Sequence, residues 1–161
     1  MKRWLPHPVL SALLAAVWLL LQQSMALPQL ITAAVLALGL PRLLHGFLGE
    51  PVRPRAWGTA LRLAATVLWD IVVANLAVAR LVLSPGARPR PAWVRLPLRL
   101  KHPSGITLLA TIVTTTPGTV SCLVDEQRGE LVVHALDCPD PQALADEIRQ
   151  RYEAPLREIF E

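Results

Sequence analysis

The segment from Trp57 to Ser84 constrains this chain most, because it is almost wholly aliphatic, long enough as a helix to cross a bilayer, and yet carries a narrow polar stripe. On a helical wheel Thr59, Arg62, Thr66, Asp70, Arg80 and Ser84 share an arc roughly 80° wide. The rest of the wheel is almost wholly Leu, Ile, Val and Ala, with Trp69 beside the arc and Asn75 on the opposite side. Such a pattern suits a helix held against lipid or membrane helices, with one face turned to water or to a polar partner.

Two apolar runs precede it. Val9 to Leu21 carries no charge, and after Gln22-Gln23-Ser24 the run from Leu27 stays uncharged until Arg42. Pro28 suits the first turn of a helix, where its missing N–H costs nothing, and Pro41 kinks or ends the run. A soluble helical pair would show a charged face, and neither run has one. Charged residues make up only 17% of the 161-residue chain against 53% hydrophobic, which points the same way. The basic start Lys2-Arg3 resembles a signal peptide, but the small-residue cleavage site is weak and a second apolar run follows at once. Residues 1–48 are therefore predicted to form a transmembrane helical hairpin.

Basic residues set its orientation. Lys2 and Arg3 precede the hairpin, and a basic linker, 49–56 with Arg53 and Arg55, follows it, whereas the turn between the runs has no charge. The positive-inside rule places both ends in the cytoplasm. Arg88, Arg90, Arg95, Arg99 and Lys101 follow the third segment, so a crossing by 57–84 would strand them outside. A juxtamembrane amphipathic helix in the membrane plane is the expectation, and a third transmembrane helix is the alternative. Asp70 is costly in hydrocarbon, so in a crossing it marks an ion path, a partner or a salt bridge. In an interfacial helix it belongs to the wet stripe. Arg62 and Arg80 lie too far along the helix to pair with it at i,i+4.

Pro85-Gly86 ends the helix and 85–91 is a proline-punctuated linker. The remaining residues, 92–161, read as a small cytoplasmic two-layer α/β domain. Trp93 to Leu100 alternates as a half-buried strand, with Pro97 favouring an edge. Ile106 to Val113 is expected to be a helix with Ser104 as its N-cap. Thr119 to Asp125 and Leu131 to Leu136 form strands about a turn at Glu126–Glu130, with Val120, Cys122 and Val124 sharing a face. Asp140 caps, and Pro141 begins, a helix to about Tyr152 that Pro155 interrupts; Leu156, Ile159 and Phe160 then form a last apolar turn. So small a core is expected to lean on the membrane part or on a partner.

The residues assemble no enzyme. No serine has nucleophile-elbow glycines, and Asp125, Glu126, Asp137 and Asp140 fall at turns, where solvated carboxylates are the rule. Thr116-Pro117-Gly118-Thr119 lacks the lysine and glycines of a phosphate loop and reads as a structural turn. His7, His45, His102 and His134 form no close pair, and Cys122 and Cys138 lack ligand spacing, so no metal and no cofactor is expected. The net charge of +4 is scattered and not interleaved with aromatics, against nucleic-acid binding. The hairpin has no polar lining for an ion path, so a path built from this chain needs other subunits.

In order and spacing the chain resembles the E subunit of the multisubunit, Mrp-type monovalent cation (Na+)/proton antiporters of bacteria. The likeness rests on Trp69-Asp70-Ile71-Val72-Val73-Ala74-Asn75-Leu76, on Ala79-Arg80-Leu81-Val82-Leu83, and on Leu98-Arg99-Leu100-Lys101-His102-Pro103 leading into Gly105-Ile106-Thr107-Leu108-Leu109-Ala110. Thr114 to Val120 and Val132 to Asp137 complete it. The resemblance implies a non-catalytic accessory or assembly subunit in the bacterial cytoplasmic membrane, with membrane lipid and large complex I-like subunits as partners. Arg62, Asp70, Asn75 and Arg80 are the candidate subunit-contact or coupling residues, and Thr116, Pro117 and Gly118 the constrained turn. The alternative is a membrane-anchored module that recruits another protein.

Overall fold

The computed structural model describes residues 7–44 and 55–161. The basic start at Lys2-Arg3, His45 and residues 49–54 of the linker lie outside them. The chain divides into two compact units, Met1–Arg53 and Pro54–Glu161.

In the first unit α1 (Pro8–Gln22) and α2 (Leu27–Leu43) pack together across a turn in which Gln23 adopts a left-handed conformation, φ 48°. Both helices begin with proline in the first turn, as expected for Pro28. Pro41 stays inside α2, close enough to its end that few backbone bonds are affected. The buried positions are small or compact: Ser11, Ala33, Ala37 and Pro41, the last three one helical turn apart. Small side chains let backbones approach closely, the packing mode of helices in lipid. A side-chain bond runs between the two helices, from Trp18 Nε1 to Gln29 Oε1 at 3.3 Å. At 15 and 17 residues these helices are shorter than the usual span.

The second unit opens with α3 (Trp57–Leu83), the one helix among the described residues long and apolar enough to cross a membrane. A three-stranded antiparallel sheet follows, in the order β1 (Ala92–Pro97), β3 (Glu130–Ala135), β2 (Thr119–Asp125). Pro97 does sit on an edge strand. The first strand stops there, three residues before its alternation runs out, because its partner Glu130 begins β3. Leu98 still donates to Gly129 O at 2.8 Å, but the amides of Arg99 and Leu100 turn to the Glu153 carboxylate.

Three local readings are corrected. Helix α4 (Pro103–Thr115) starts at Pro103, not after Ser104: proline occupies the first turn and His102 is the cap residue, its amide donating to Glu161 Oε1 at 3.3 Å. A bulge near Cys122 breaks the alternation of β2, so Ser121 and Val124 turn inward while Val120 and Leu123 stay 47% and 56% exposed. Pro155 does not interrupt the C-terminal helix. A π turn, Arg149–Glu153, joins α5 (Pro141–Ile148) to α6 (Ala154–Phe160) and accommodates the missing N–H. Asp140 caps α5 as expected, accepting from Gln142 N and Ala143 N at 3.0 and 3.1 Å.

The inner sheet face meets the helices in one core built on Val94, Leu96, Leu109, Leu131, Val133, Ile148 and Leu156, and Leu63 of α3 belongs to it. The deepest polar group is Glu153, 0% exposed. Its Oε1 accepts both strand-exit amides, from Leu100 at 2.8 Å, and Glu161 Oε1 takes the next, from Lys101 at 2.6 Å. Two carboxylates from the end of the chain thus fix residues 99–102.

Candidate functional site

The stripe on α3 is where the second unit brings its predicted polar residues together. Apolar residues at three- and four-residue spacing, Ala60, Leu63 and Val67, lay the first half of α3 onto the core. Polar residues then close the edges. The Thr59 hydroxyl donates to Glu158 Oε2 at 3.1 Å. One turn beyond Val67, Asp70 receives three bonds: Oδ2 from Arg151 Nε at 3.1 Å and from the Tyr152 hydroxyl at 2.9 Å, and Oδ1 from Arg151 Nη2. The carboxylate is 14% exposed and its guanidinium partner 40%. Glu147 Oε1 lies 3.9 Å from the same guanidinium.

This latch has electrical consequences. Burial, then the Asp70 carboxylate, push the Tyr152 hydroxyl up to about 12, against a smaller opposite pull from Thr116 and Arg151. Asp70 also raises Arg151 above its ordinary range. The phenol and guanidinium are therefore both protonated donors at neutral pH, held in the state that Asp70 requires.

Past the latch α3 and the domain line a cleft of 580 Å³. Asp70, Arg80, Thr116, Pro117 and Gly118 all line it, so five of the seven sequence candidates meet at one place. Gly118 has φ +92°, and an added Cβ there would stand 3.3 Å from Val78 Cγ2 of α3. Glycine is needed at that turn both for its conformation and for the close approach of the helix. Asn75 does not join the site; it lies exposed on the opposite side, its amide donating to Ile71 O at 2.7 Å. Arg62 is exposed on the flank of the stripe, and its side chain makes no hydrogen bond or ion pair among the described residues.

Arg151 and Tyr152 escape a reading of the sequence because nothing local ties them to Asp70, 81 and 82 residues away. Their signal is indirect: a carboxylate in an apolar helix needs a cation, and Arg149-Gln150-Arg151-Tyr152 is a basic stretch at the end of the helix that Asp140 caps. No group of three or more His, Cys, Asp or Glu fit for a metal occurs among the described residues. Both cysteines are free thiols, Cys122 exposed and Cys138 buried, burial raising the latter's pKa.

Comparison with known proteins places this architecture. A family model described as a Na+/H+ ion antiporter subunit matches residues 11–159. The chain belongs to the E-subunit family of Na+/H+ antiporters. Within that family it is 33% identical, over the full length of both chains, to the E subunit of a probable K(+)/H(+) antiporter of Rhizobium meliloti. It is 25% identical to the E subunit of the Na(+)/H(+) antiporter of Alkalihalophilus pseudofirmus, over 94% of this chain and 96% of that one. Among solved structures, a chain of the membrane-bound sulfane sulfur reductase, an archaeal respiratory membrane complex, superposes with a TM-score of 0.74 at 25% identity, covering 94% of this chain and 96% of that chain. As a member of this family the protein is a non-catalytic accessory subunit of a cation antiporter, a bacterial membrane-associated protein whose partners are other membrane subunits of that complex.

Proposed function

We propose that this E subunit braces the antiporter at the cytoplasmic surface. In this reading α1 and α2 cross the membrane as a hairpin, α3 lies in the membrane plane, and the α/β domain stands in the cytoplasm with both termini. Large complex I-like subunits hold the ion path, and the exposed side of α3 meets them or lipid. Arg62 and Arg80 flank the contact, and Asp70 acts through the latch as a positioning residue, carrying no ion itself.

One observation carries the reading: the domain runs alongside α3 from Thr59, which bonds Glu158, through the Asp70 latch to Val78, which meets Gly118. Those residues are about 28 Å apart along a helix, nearly the hydrocarbon thickness of about 30 Å. Were α3 to cross, Glu158, Arg151 and Glu147 would enter the membrane with it, at prohibitive cost. The opposite side is suited to lipid, with Leu61, Leu68 and Leu76 exposed at 75%, 66% and 55%. Relatives named for potassium and for sodium both align over nearly their whole length, in keeping with cation choice residing in other subunits.

The test is cysteine accessibility. In a background with Cys122→Ser and Cys138→Ser, Ser84→Cys or Gly86→Cys is expected to resist an impermeant maleimide in intact cells and to react once the cells are opened. Labelling from outside overturns the in-plane placement.

A further inference from the structure

We propose that the cleft between α3 and the domain holds one anionic membrane lipid, its acyl tail between the walls and its phosphate head on Arg80. The cavity, 580 Å³, falls within the range of about 300–1,000 Å³ that small-molecule sites occupy. Its α3 wall is Ala74, Ala77, Val78 and Leu81, and Leu136 and Leu144 stand on the other side. The alanines leave the space that larger residues would fill.

Charge selects the head group. Three carboxylates line the cleft, and each lies within ion-pair reach of an arginine. Asp70 is held by Arg151 and Tyr152, Glu147 lies 3.9 Å from Arg151 Nε, and Asp137 Oδ1 accepts from Arg90 N at 3.0 Å with the Arg90 guanidinium 3.9 Å away. Arg80 is the exception. It is exposed in the last turn of α3, its guanidinium making no hydrogen bond or ion pair among the described residues. A lone guanidinium beside an aliphatic slot is complementary to an amphiphile with an anionic head, and guanidinium pairs phosphate in a bidentate fashion. The proposal rests on the in-plane placement of α3, which brings the cleft to head-group depth.

The test uses the full chain purified in mild detergent, with bound lipid counted by native mass spectrometry. The probes are short-chain phosphatidylglycerol, phosphatidylcholine of equal chain length, inorganic phosphate and a fatty acid. One phosphatidylglycerol per chain is expected, with weaker phosphatidylcholine binding and no competition from inorganic phosphate. Arg80→Gln, an exposed position that leaves folding intact, should weaken retention about tenfold, the loss of one charge-assisted contact. Ala77→Trp should abolish it by filling the tail slot. Equal binding of the two phospholipids, or unchanged retention by Arg80→Gln, overturns the proposal. Competition by inorganic phosphate reduces the site to a free-anion site, and stronger binding of the fatty acid makes the head a carboxylate; either overturns the phospholipid assignment. A cross-link from Ala77→Cys to a partner protein, with no lipid retained, makes the occupant a helix and overturns it too. External labelling at Ser84→Cys would remove the topology alone, because lipid retention in detergent is read independently.

Discussion

The α1–α2 pair and the joint between α3 and its domain are both helical contacts of apolar segments, yet they are held in different ways. The pair buries Ser11, Ala33, Ala37 and Pro41, with a side-chain bond from Trp18 to Gln29 across it. The joint combines aliphatic packing through Leu63 with a half-buried carboxylate latch and a second bond at Thr59. In hydrocarbon apolar burial gives helices no reason to associate, so shape and close approach must suffice. At a wet boundary apolar burial is available, and charged groups can bridge because water meets the unpaired lone pairs. The contrast fits the proposal that one unit crosses the membrane and the other lies at its surface.

The largest expected effect falls on the domain and spares the pair. Glu153→Ala leaves the buried amide of Leu100 and the part-buried amide of Arg99 without an acceptor, and should destabilise the second unit by about 3 kcal/mol. Glu153→Gln, which keeps an acceptor oxygen, should recover part of the loss. Denaturant unfolding of the full chain, read by limited proteolysis of each unit, checks this. Equal loosening of α1–α2 would show that the units are not independent.

Alkali gives the next effect, about 2.5 kcal/mol at most, and its sign follows from the raised Tyr152 value. The folded phenol holds its proton to about 12 and the unfolded one to 10.0, so the contribution is intact below pH 10 and is lost as pH rises toward 12. Ionised, the ring would present a phenolate to Asp70. Tyr152→Phe should flatten that part of the stability–pH curve at the expense of about 1 kcal/mol at neutral pH, one hydrogen bond. A slope unchanged in the variant would place the titration elsewhere. Asp70→Ala ranks below the alkaline effect, at about 2 kcal/mol, because Arg151 is 40% exposed and water repays part of the lost pair. Hydrogen exchange should rise along the middle of α3 and leave α1 and α2 unchanged.

Much of this is legible in the sequence, for reasons that are themselves local. The apolar period marks α3 within one residue, and Asp140 with Pro141 announces α5, because capping is a matter of neighbouring residues. The stripe is legible as well, and five of the candidates share the cleft. Its partner is not, since Asp70 meets residues brought near only by the docking of α6 and the π turn. The bulge near Cys122 escapes because one extra residue in a strand leaves composition unchanged while reversing which side chains face in. Pro155 misleads for a related reason: a wide turn upstream absorbs it, and that turn carries Glu153, whose carboxylate reaches the distant amides that follow β1.

The smallest expected effect is the one that best separates the two faces of α3. Asn75 stands opposite the latch, its side chain satisfied within its own helix by Ile71 O, so Asn75→Ala should change the stability of the isolated chain by no more than about 0.5 kcal/mol. If that side of the helix meets only lipid, assembly should be equally unaffected, because alanine is welcome there. If it meets a neighbouring protein of the complex, the variant should keep its own stability and yet co-purify poorly with the large membrane subunits. An Asp70→Ala chain would show the reverse order, with its own stability falling first. A loss of stability in Asn75→Ala as large as in Asp70→Ala would erase the distinction between an outward face and a latched one, and with it the reading of α3 as a brace between a domain and a membrane partner.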